Sequence, residues 1–309
     1  MRVLITGGAG FIGTNLALHL AQQRAVDEVV IFDDLSTGIL RDELNCARVI
    51  IGDLRDEAGV DAAIVGTDRV IHLGALGSVP RSVADPGTSN DVNVRGTLNV
   101  LNAVRKHDVG HVVVASSSSV YGANRTIPKI ETMATLPMSP YAVSKLATEA
   151  YTNAFETSYG VPTLAFRFFN VFGPYQRADH VYAAVIPKFL DALKNDEPVI
   201  LHGDGTQSRD FTSIHSVVDA LTQASLGRIT NSTPVNLAFG HRYTLLDILA
   251  VLEEIHGKPI RRTFTAPRVG DVPHSQASPD LLISLLPSIA QPTLRDALAE
   301  VYHWYMGLD

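Results

Sequence analysis

Two side chains that can exchange protons stand four residues apart in this sequence. Tyr141 and Lys145 fall within residues 140–159, where apolar residues from Leu146 to Phe155 recur at helical intervals. Side chains four apart on a helix share one face, so the phenol and the ammonium would be neighbours. A nearby cation favours phenolate and lowers the pKa of a tyrosine, which predicts an acid/base group. The same spacing also fits a surface tyrosine that merely lies beside a lysine, so the spacing alone does not establish a functional pair.

A glycine-rich turn near the N-terminus predicts a phosphate-binding loop. It lies between a short apolar strand, residues 2–6, and a helix that runs to about residue 23. Glycines let a pyrophosphate approach the backbone at the helix N-terminus, where free N–H groups and the helix dipole favour anions. The residues of this loop predicted to contact a cofactor are Gly7, Gly10, Phe11, Ile12 and Gly13.

A second predicted strand, residues 28–32, ends in two carboxylates, Asp33 and Asp34. An acid about 20 residues past the glycines accepts hydrogen bonds from the adenosine ribose and repels a 2′-phosphate. The pattern therefore predicts NAD rather than NADP as the cofactor. The alternative is a tight structural turn followed by a solvated acid.

The composition limits the classes of function. With 309 residues, 46% of them apolar, the chain can bury a large core. A net charge of −7 without a basic run argues against nucleic acid as a partner. The single cysteine, Cys46, excludes an internal disulfide and a cysteine metal cluster, and we expect no metal. No apolar stretch is long enough to span a membrane, and the first strand leaves no room for a signal peptide, so a cytoplasmic protein is expected.

Strand and helix patterns alternate along the first half of the chain. Further strands are predicted at residues 48–52, 69–73, 111–116 and 163–168, and helices at 57–65, 86–107 and 140–159. With the glycine loop, this alternation predicts an α/β fold with a Rossmann-type doubly wound parallel sheet. Frequent prolines interrupt the pattern after about residue 170. We predict an NAD-binding Rossmann domain at 1–169, to which chain returns near 210–240, and a smaller C-terminal α/β cap, mainly 170–309, that binds substrate.

A serine-rich strand end adds hydroxyls to the acid/base pair. The strand at 111–116 runs into SSSSVYG at residues 116–122, where a hydroxyl can relay a proton or satisfy its own backbone. This run, the glycine loop and SPYAVSK at 139–145 resemble extended short-chain dehydrogenases/reductases, and within them nucleotide-sugar 4-epimerases. The resemblance implies a catalytic triad whose members are Ser117, Tyr141 and Lys145, with Ser118 and Ser119 as alternatives for the serine.

The same resemblance implies further cofactor contacts. Asp53 and Leu54 match an adenine contact, and Asn93 matches an asparagine that supports the catalytic helix and the cofactor. The segment that passes the cofactor phosphates and nicotinamide ribose corresponds to Leu73, Gly74 and Ala75. Phe168 stands where the family often has a tyrosine, which removes one hydroxyl contact near the nicotinamide.

A UDP-sugar is the substrate that the resemblance implies. Its contacts would come from Gly77, Ser78, Ser117, Ser118, Tyr141, Asn170, Arg209, Arg268, Asp271 and Ser275. Arginines suit a diphosphate because a guanidinium donates paired N–H groups to phosphate oxygens. Ser275 aligns with a position that is bulky in glucose-only 4-epimerases and small in those that accept 2-acetamido sugars.

These resemblances predict interconversion of UDP-GlcNAc and UDP-GalNAc, with UDP-Glc/UDP-Gal as a lesser activity, through a transient 4-keto sugar and tightly bound NAD. The alternatives are a UDP-glucose or UDP-glucuronate 4-epimerase and, in another class, a catalytically silent NAD-binding sensor. Elimination is disfavoured because the serine loop lacks the Asp-Glu pair of related dehydratases. Helices at 86–107 and 140–159 resemble the pair that forms the family's dimer interface, so a homodimer is expected.

Overall fold

A computed structural model describes residues 1–178, 183–267 and 273–307. The strands are β1 (Arg2–Thr6), β2 (Glu28–Asp33), β3 (Arg48–Ile51), β4 (Arg69–His72), β5 (Val112–Ser117), β6 (Thr163–Phe168), β7 (Val171–Phe172), β8 (Val199–His202), β9 (Ser208–Arg209), β10 (Thr212–Ser213), β11 (Val235–Leu237), β12 (Tyr243–Thr244) and β13 (Arg262–Thr265). The helices are α1 (Phe11–Leu20), α2 (Glu57–Ile64), α3 (Val79–Ala84), α4 (Pro86–Asn90), α5 (Gly96–Lys106), α6 (Pro140–Tyr159), α7 (Val185–Lys194), α8 (Ile214–Gly227), α9 (Leu245–His256), α10 (Asp280–Leu285) and α11 (Leu294–Met306).

Seven strands form one sheet in the order β11-β6-β5-β4-β1-β2-β3. Every neighbouring pair in it is parallel. The order reverses between β1 and β4, as in doubly wound sheets. The predicted Rossmann-type α/β fold is therefore confirmed, and β11 is the strand with which the chain returns to the sheet.

Apolar clusters cover both faces of this sheet, which explains why its strands are Val- and Ile-rich runs rather than alternating ones. On one face α1 and α8 pack together over residues such as Ile5, Ile31 and Ile71. On the other face α2 and α5 pack over residues such as Leu4 and Val70. Ligand chemistry is thus left to the strand ends.

The predicted helix at 86–107 contains an irregular turn. Between α4 and α5 the backbone forms a π-helical turn, Asp91–Arg95, with Asn93 inside it. Such turns interrupt otherwise regular helices, often at functional sites. The side chain of Asn93 is 1% exposed and points its amide at the segment after β4, as described below.

A third apolar cluster joins the later elements of the chain, with α7, α9 and α11 packed around β8. β8 pairs with β13 in a separate two-stranded parallel sheet. The boundary between the two domains at residue 169 stays a prediction. Within the described ranges, no helix has both the length and the apolar character needed to cross a bilayer.

Candidate active site

Four parallel strands end at one edge of the sheet and open onto a cavity of about 540 Å³. Gly7 follows β1, Asp33 ends β2, Leu73 follows β4 and Ser117 ends β5. The predicted residues that line this cavity are Gly7, Gly10, Phe11, Ile12, Gly13, Asp33, Asp34, Asp53, Leu54, Leu73, Gly74, Ala75, Gly77, Ser78, Ser117, Tyr141 and Lys145. The fold therefore brings most of the predicted cofactor and catalytic residues to one place.

The glycine loop packs too tightly for side chains at two positions. Gly7 has a φ of +70°, and a Cβ there would lie 2.7 Å from the backbone of Gly74. A Cβ on Gly13 would lie 2.3 Å from the carbonyl oxygen of Gly7. This close approach leaves the first turn of α1 at the cavity wall, where its N–H groups and dipole fit a pyrophosphate.

The two carboxylates after β2 also lie at the cavity. Asp33 is buried, and its two oxygens accept hydrogen bonds of 2.9 Å from the backbone N–H groups of Ala9 and Leu35. Burial raises the pKa of Asp33, and these two hydrogen bonds oppose the shift. Asp34 accepts hydrogen bonds from the backbone and the hydroxyl of Ser36. Asp33 thus braces the glycine loop as well as facing the predicted ribose site, a second role that the sequence pattern did not reveal.

The predicted adenine contact lies at the next strand end. Asp53 lines the cavity and forms an ion pair with Arg55. The hydrogen bonds from Arg55 hold the pKa of Asp53 below its usual value. Leu54 is buried beside it, while Leu73, Gly74 and Ala75 line the cavity after β4. A cavity whose wall holds a helix N-terminus with free N–H groups and several carboxylates fits a dinucleotide.

Tyr141 and Lys145 lie in the first two turns of α6. The helix begins there because the Ser139 hydroxyl accepts a hydrogen bond from the Ala142 N–H, while Pro140 supplies a suitable first residue. The Lys145 ammonium donates a hydrogen bond of 2.8 Å to the carbonyl oxygen of Ala115 on β5. This hydrogen bond ties α6 to the strand that carries the serine run.

The structure corrects one prediction about this pair. Burial raises the pKa of Tyr141, whereas the sequence predicted a lowered value from the proximity of Lys145. The Ser117 hydroxyl opposes that shift through a hydrogen bond to the phenol oxygen. Burial also lowers the pKa of Lys145 to about 8, and the Glu149 carboxylate opposes this shift. The prediction failed because sequence spacing does not reveal how deeply a pair is buried.

The three candidate serines occupy different environments. Ser117 lines the cavity, and its hydroxyl accepts a hydrogen bond from the Ser119 N–H. The Ser119 hydroxyl is buried and has no hydrogen-bond partner within the part of the chain that the structure describes. Ser118 does not line this cavity as far as the described residues define it. The geometry favours Ser117, whose role as relay stays a prediction.

Asn93 acts behind the cavity rather than in its wall. Its side-chain oxygen accepts a hydrogen bond from the Leu76 N–H, and its amide group donates to Leu76 and to the Ser144 hydroxyl. Ser82, which sequence reasoning missed, accepts a hydrogen bond of 3.0 Å from the Tyr141 N–H. Both residues tie the segment that contains Gly77 and Ser78 to α6. The sequence assigned no contact to Ser82, because its partner is a backbone group far away in the sequence.

A second cavity of about 540 Å³ adjoins the first, and Gln176 and Ala184 line both. Asn170 and Arg209 lie in its wall, as predicted for a substrate site, and the Asn170 amide group donates to the Asp210 carbonyl oxygen. The Arg209 guanidinium donates to the carbonyl oxygens of Ser208 and Pro273. Aliphatic, aromatic and polar side chains form the rest of the wall, and they include Phe172, Phe189, Phe211, Lys188, His202 and Gln207.

Arg268, Asp271 and Ser275 are the other residues predicted to bind the substrate. Arg268 and Asp271 lie outside the described residues. Ser275 lines neither cavity among the described residues; its N–H donates to the Ser208 carbonyl oxygen, next to Arg209. Its predicted contact with the sugar therefore stays a prediction.

Comparison with known proteins agrees with this geometry. A UDP-N-acetylglucosamine 4-epimerase from Methanobrevibacter ruminantium, solved in complex with UDP-N-acetylmuramic acid, is 34% identical, covers 99% of this chain and 98% of its own, and has a TM-score of 0.92. A UDP-glucose 4-epimerase from Thermus thermophilus, solved with NAD, is 31% identical, covers 100% of both chains and has a TM-score of 0.88. A probable UDP-glucuronate 4-epimerase from Rhizobium meliloti is 32% identical over 99% of this chain and 97% of its own length. Residues 3–237 match the NAD dependent epimerase/dehydratase family, to which this chain belongs.

Proposed function

We propose that this protein is a UDP-sugar 4-epimerase that interconverts UDP-GlcNAc and UDP-GalNAc with tightly bound NAD. One observation carries the proposal. The proton-transfer group, Tyr141 with Ser117, lines the cofactor cavity, and Gln176 and Ala184 line both that cavity and the second one. A cofactor and a nucleotide sugar can therefore meet at the phenol.

The protein's own residues supply the proton transfer. Tyr141 takes the proton of the sugar 4-hydroxyl and later returns it on the other face, and Ser117 relays it or donates a hydrogen bond to the phenolate. Lys145, charged below its pKa of about 8, stabilises the phenolate against the burial that disfavours it. Bound NAD would supply the acceptor and donor of the C4 hydride, and the residues that line the cofactor cavity would hold it.

Inversion requires that the sugar turn over while the nucleotide stays in place. Asn170 and Arg209 line the second cavity, and we expect their side-chain N–H groups to hold the diphosphate. Phe172, Phe189 and Phe211 give that cavity apolar surface for the flat face of a base. With the nucleotide held there, the 4-keto sugar is free to present its other face to the cofactor.

The preference for 2-acetamido sugars rests on three supports. Ser275 is small at the position that the resemblance links to sugar size. The segment 76–82 resembles that of epimerases that act on UDP-N-acetylglucosamine, and Gly77 and Ser78 within it line the cofactor cavity. The Methanobrevibacter ruminantium enzyme, which is named for that substrate, shares the fold of the whole chain.

A UDP-glucuronate 4-epimerase is the second candidate because of Arg81. This arginine lies on α3, in the same segment as Gly77 and Ser78, and lines the cofactor cavity. A guanidinium there could pair with a sugar carboxylate. The Rhizobium meliloti relative carries that activity in its name.

A product assay distinguishes these proposals. The purified protein is incubated with UDP-GlcNAc, UDP-Glc and UDP-GlcA separately, and the C4 epimers are separated chromatographically. Fastest conversion of UDP-GlcNAc supports the main proposal, and fastest conversion of UDP-GlcA supports the second. In the second case Arg81→Gln should lower turnover of UDP-GlcA and spare neutral sugars. Conversion of none of the three would contradict both.

The predicted homodimer stays a proposal. Val83 on α3 and Val143 and Tyr151 on α6 are apolar or aromatic side chains that are exposed in the single chain. A second copy that packs on these helices would cover them.

A further inference from the structure

A buried ion pair joins α6, which carries Tyr141 and Lys145, to β6 of the sheet. Glu149 and Arg167 are 2% and 4% exposed, and two N–H groups of the guanidinium donate to the two carboxylate oxygens, each at 2.9 Å. The Ser116 hydroxyl donates to the same carboxylate at 2.5 Å. The remaining side of the guanidinium donates to the Tyr121 hydroxyl, which donates in turn to Asn236. Ser116 and Arg167 are paired across β5 and β6, so the network joins both strands to α6.

The network fastens the helix to the strand at two consecutive residues. Lys145 donates to the carbonyl oxygen of Ala115, and Glu149, one turn further along α6, accepts from the hydroxyl of Ser116. The next residue of the strand is Ser117. The position of Ser117 relative to the phenol therefore depends on these two contacts.

Glu149 is also the charged partner of Lys145. The ionisable groups around the ammonium are Tyr141 and Glu149 on α6 and His72 on β4, with Arg167 on β6 behind Glu149. Burial lowers the pKa of His72 to about 3, so it is neutral at physiological pH. Within the described residues, Glu149 is thus the group that offsets the burial of Lys145, which is 6% exposed.

We propose that Glu149 is a positioning residue, which keeps the buried Lys145 ammonium charged and, held by Arg167, fixes Ser117 against the catalytic helix. A purely structural ion pair does not account for this placement as well. Burying two charges costs about as much as their attraction returns, and apolar pairs of similar volume often stabilise a protein equally. A carboxylate at position 149 has a functional reason if Lys145, four residues before it, must remain protonated.

The direct test measures the charge of Lys145. The chain has six lysines, so a spectrum of the holoprotein labelled with ¹³Cε-lysine is simple enough to interpret, and Lys145→Arg identifies the signal. We expect a titration midpoint near 8 in the wild type and a midpoint at least about one pH unit lower in Glu149→Gln. Glu149→Asp, which keeps the charge, should restore the wild-type midpoint. The matched control is Glu156→Gln, seven residues further along α6, which should not move it.

An unchanged midpoint in Glu149→Gln, or an equal shift in Glu156→Gln, would overturn the inference. If Glu149→Gln alone does not fold, because it leaves Arg167 buried without a partner, the double variant Glu149→Gln/Arg167→Met provides the same comparison.

A second test, the pH dependence of kcat/KM, rests on the proposed function. On the UDP-sugar that the product assay selects, the basic limb of the kcat/KM profile should move to lower pH together with the Lys145 midpoint. A midpoint shift without any epimerisation would refute the proposed function but leave the inference about Glu149 standing. A lower kcat with both the limb and the midpoint unchanged would show a structural role only.

Discussion

Adding one methyl group at Gly13 should test how the cofactor loop is built. A Cβ at this position would lie 2.3 Å from the Gly7 carbonyl oxygen and 2.5 Å from the Gly8 Cα, both backbone atoms that cannot rotate away. Overpacking of this kind costs about 1–3 kcal/mol, and we take the upper value because backbone must move. Alanine in place of a helical glycine returns about 1 kcal/mol, since Gly13 lies in α1. The net loss for Gly13→Ala is therefore about 2 kcal/mol.

Gly10→Ala is the matched control. A Cβ on Gly10 would lie 3.3 Å from the Gly7 carbonyl oxygen, and its backbone, with φ −77° and ψ 177°, suits alanine. Its methyl group would instead stand in the cavity wall, where a pyrophosphate would approach. We expect Gly10→Ala to retain wild-type stability and to bind NAD more weakly.

Two measurements separate these effects. Thermal unfolding should show the Tm of Gly13→Ala lowered by about 3 °C, because about 2 kcal/mol is divided by an unfolding entropy of about 2.1 cal/mol/K per residue over 309 residues. The NAD content of purified protein, determined chromatographically after denaturation, should fall in both variants. Wild-type Tm and NAD content in Gly13→Ala would refute the argument that close backbone contact requires glycine there. Wild-type NAD content in Gly10→Ala would refute the assigned path of the pyrophosphate.

Four further predictions concern catalysis, substrate and stability. Tyr141→Phe should lower turnover by about 10²–10⁴-fold without loss of NAD. Tyr159→Phe, at the exposed end of the same helix, should leave turnover unchanged. Full activity of Tyr141→Phe in initial-rate assays would disprove the role of Tyr141. Arg209→Ala should raise KM for the UDP-sugar about tenfold or more, since hydrogen bonds to charged groups are worth about 1.5–3 kcal/mol, and an unchanged KM would remove its assigned contact. Ser275→Tyr should abolish turnover of acetamido sugars and spare plain hexoses; equal losses on both would show that this position does not set sugar size. Burial lowers the pKa of His72 from 6.5 to about 3, so between these pH values the unfolded chain binds a proton that the folded chain does not, and the free energy of unfolding falls as the pH falls below 6.5. His72→Gln should therefore flatten the decline of Tm between pH 6 and pH 4. A slope of Tm against pH equal to that of the wild type would contradict this.

The fold was predictable because its signals are local and repeated. Continuous apolar runs indicated buried parallel strands, and the glycine turn marked where the first of them ends. The helix predicted at 140–159 is α6 itself. The interruption of the helix at 86–107 was not predicted; the π turn at Asp91–Arg95 contains Asn93, whose tertiary contact with Leu76 has no signal in the local sequence.

The site was predictable in its residue types but less so in its electrostatics. The spacing of Tyr141 and Lys145 placed them together, yet the direction of the Tyr141 pKa shift depends on burial that only the folded chain determines. Glu149 could have been noticed from its position four residues after Lys145, since that spacing places it on the same helix face. Its partner Arg167 lies on another strand, so the ion pair itself has no signal in the sequence.

The hydrogen bonds of Asn93 and Ser82 have a consequence for substrate discrimination. They join the segment 76–82, which contains the predicted substrate residues Gly77 and Ser78, to the turn of α6 that carries Tyr141. A sugar whose substituent displaces this segment would therefore also displace the phenol of Tyr141 from the position that proton transfer requires. Poorly fitting sugars should therefore still dock through their nucleotide but react slowly, so that selectivity shows as a difference in kcat and much less in affinity.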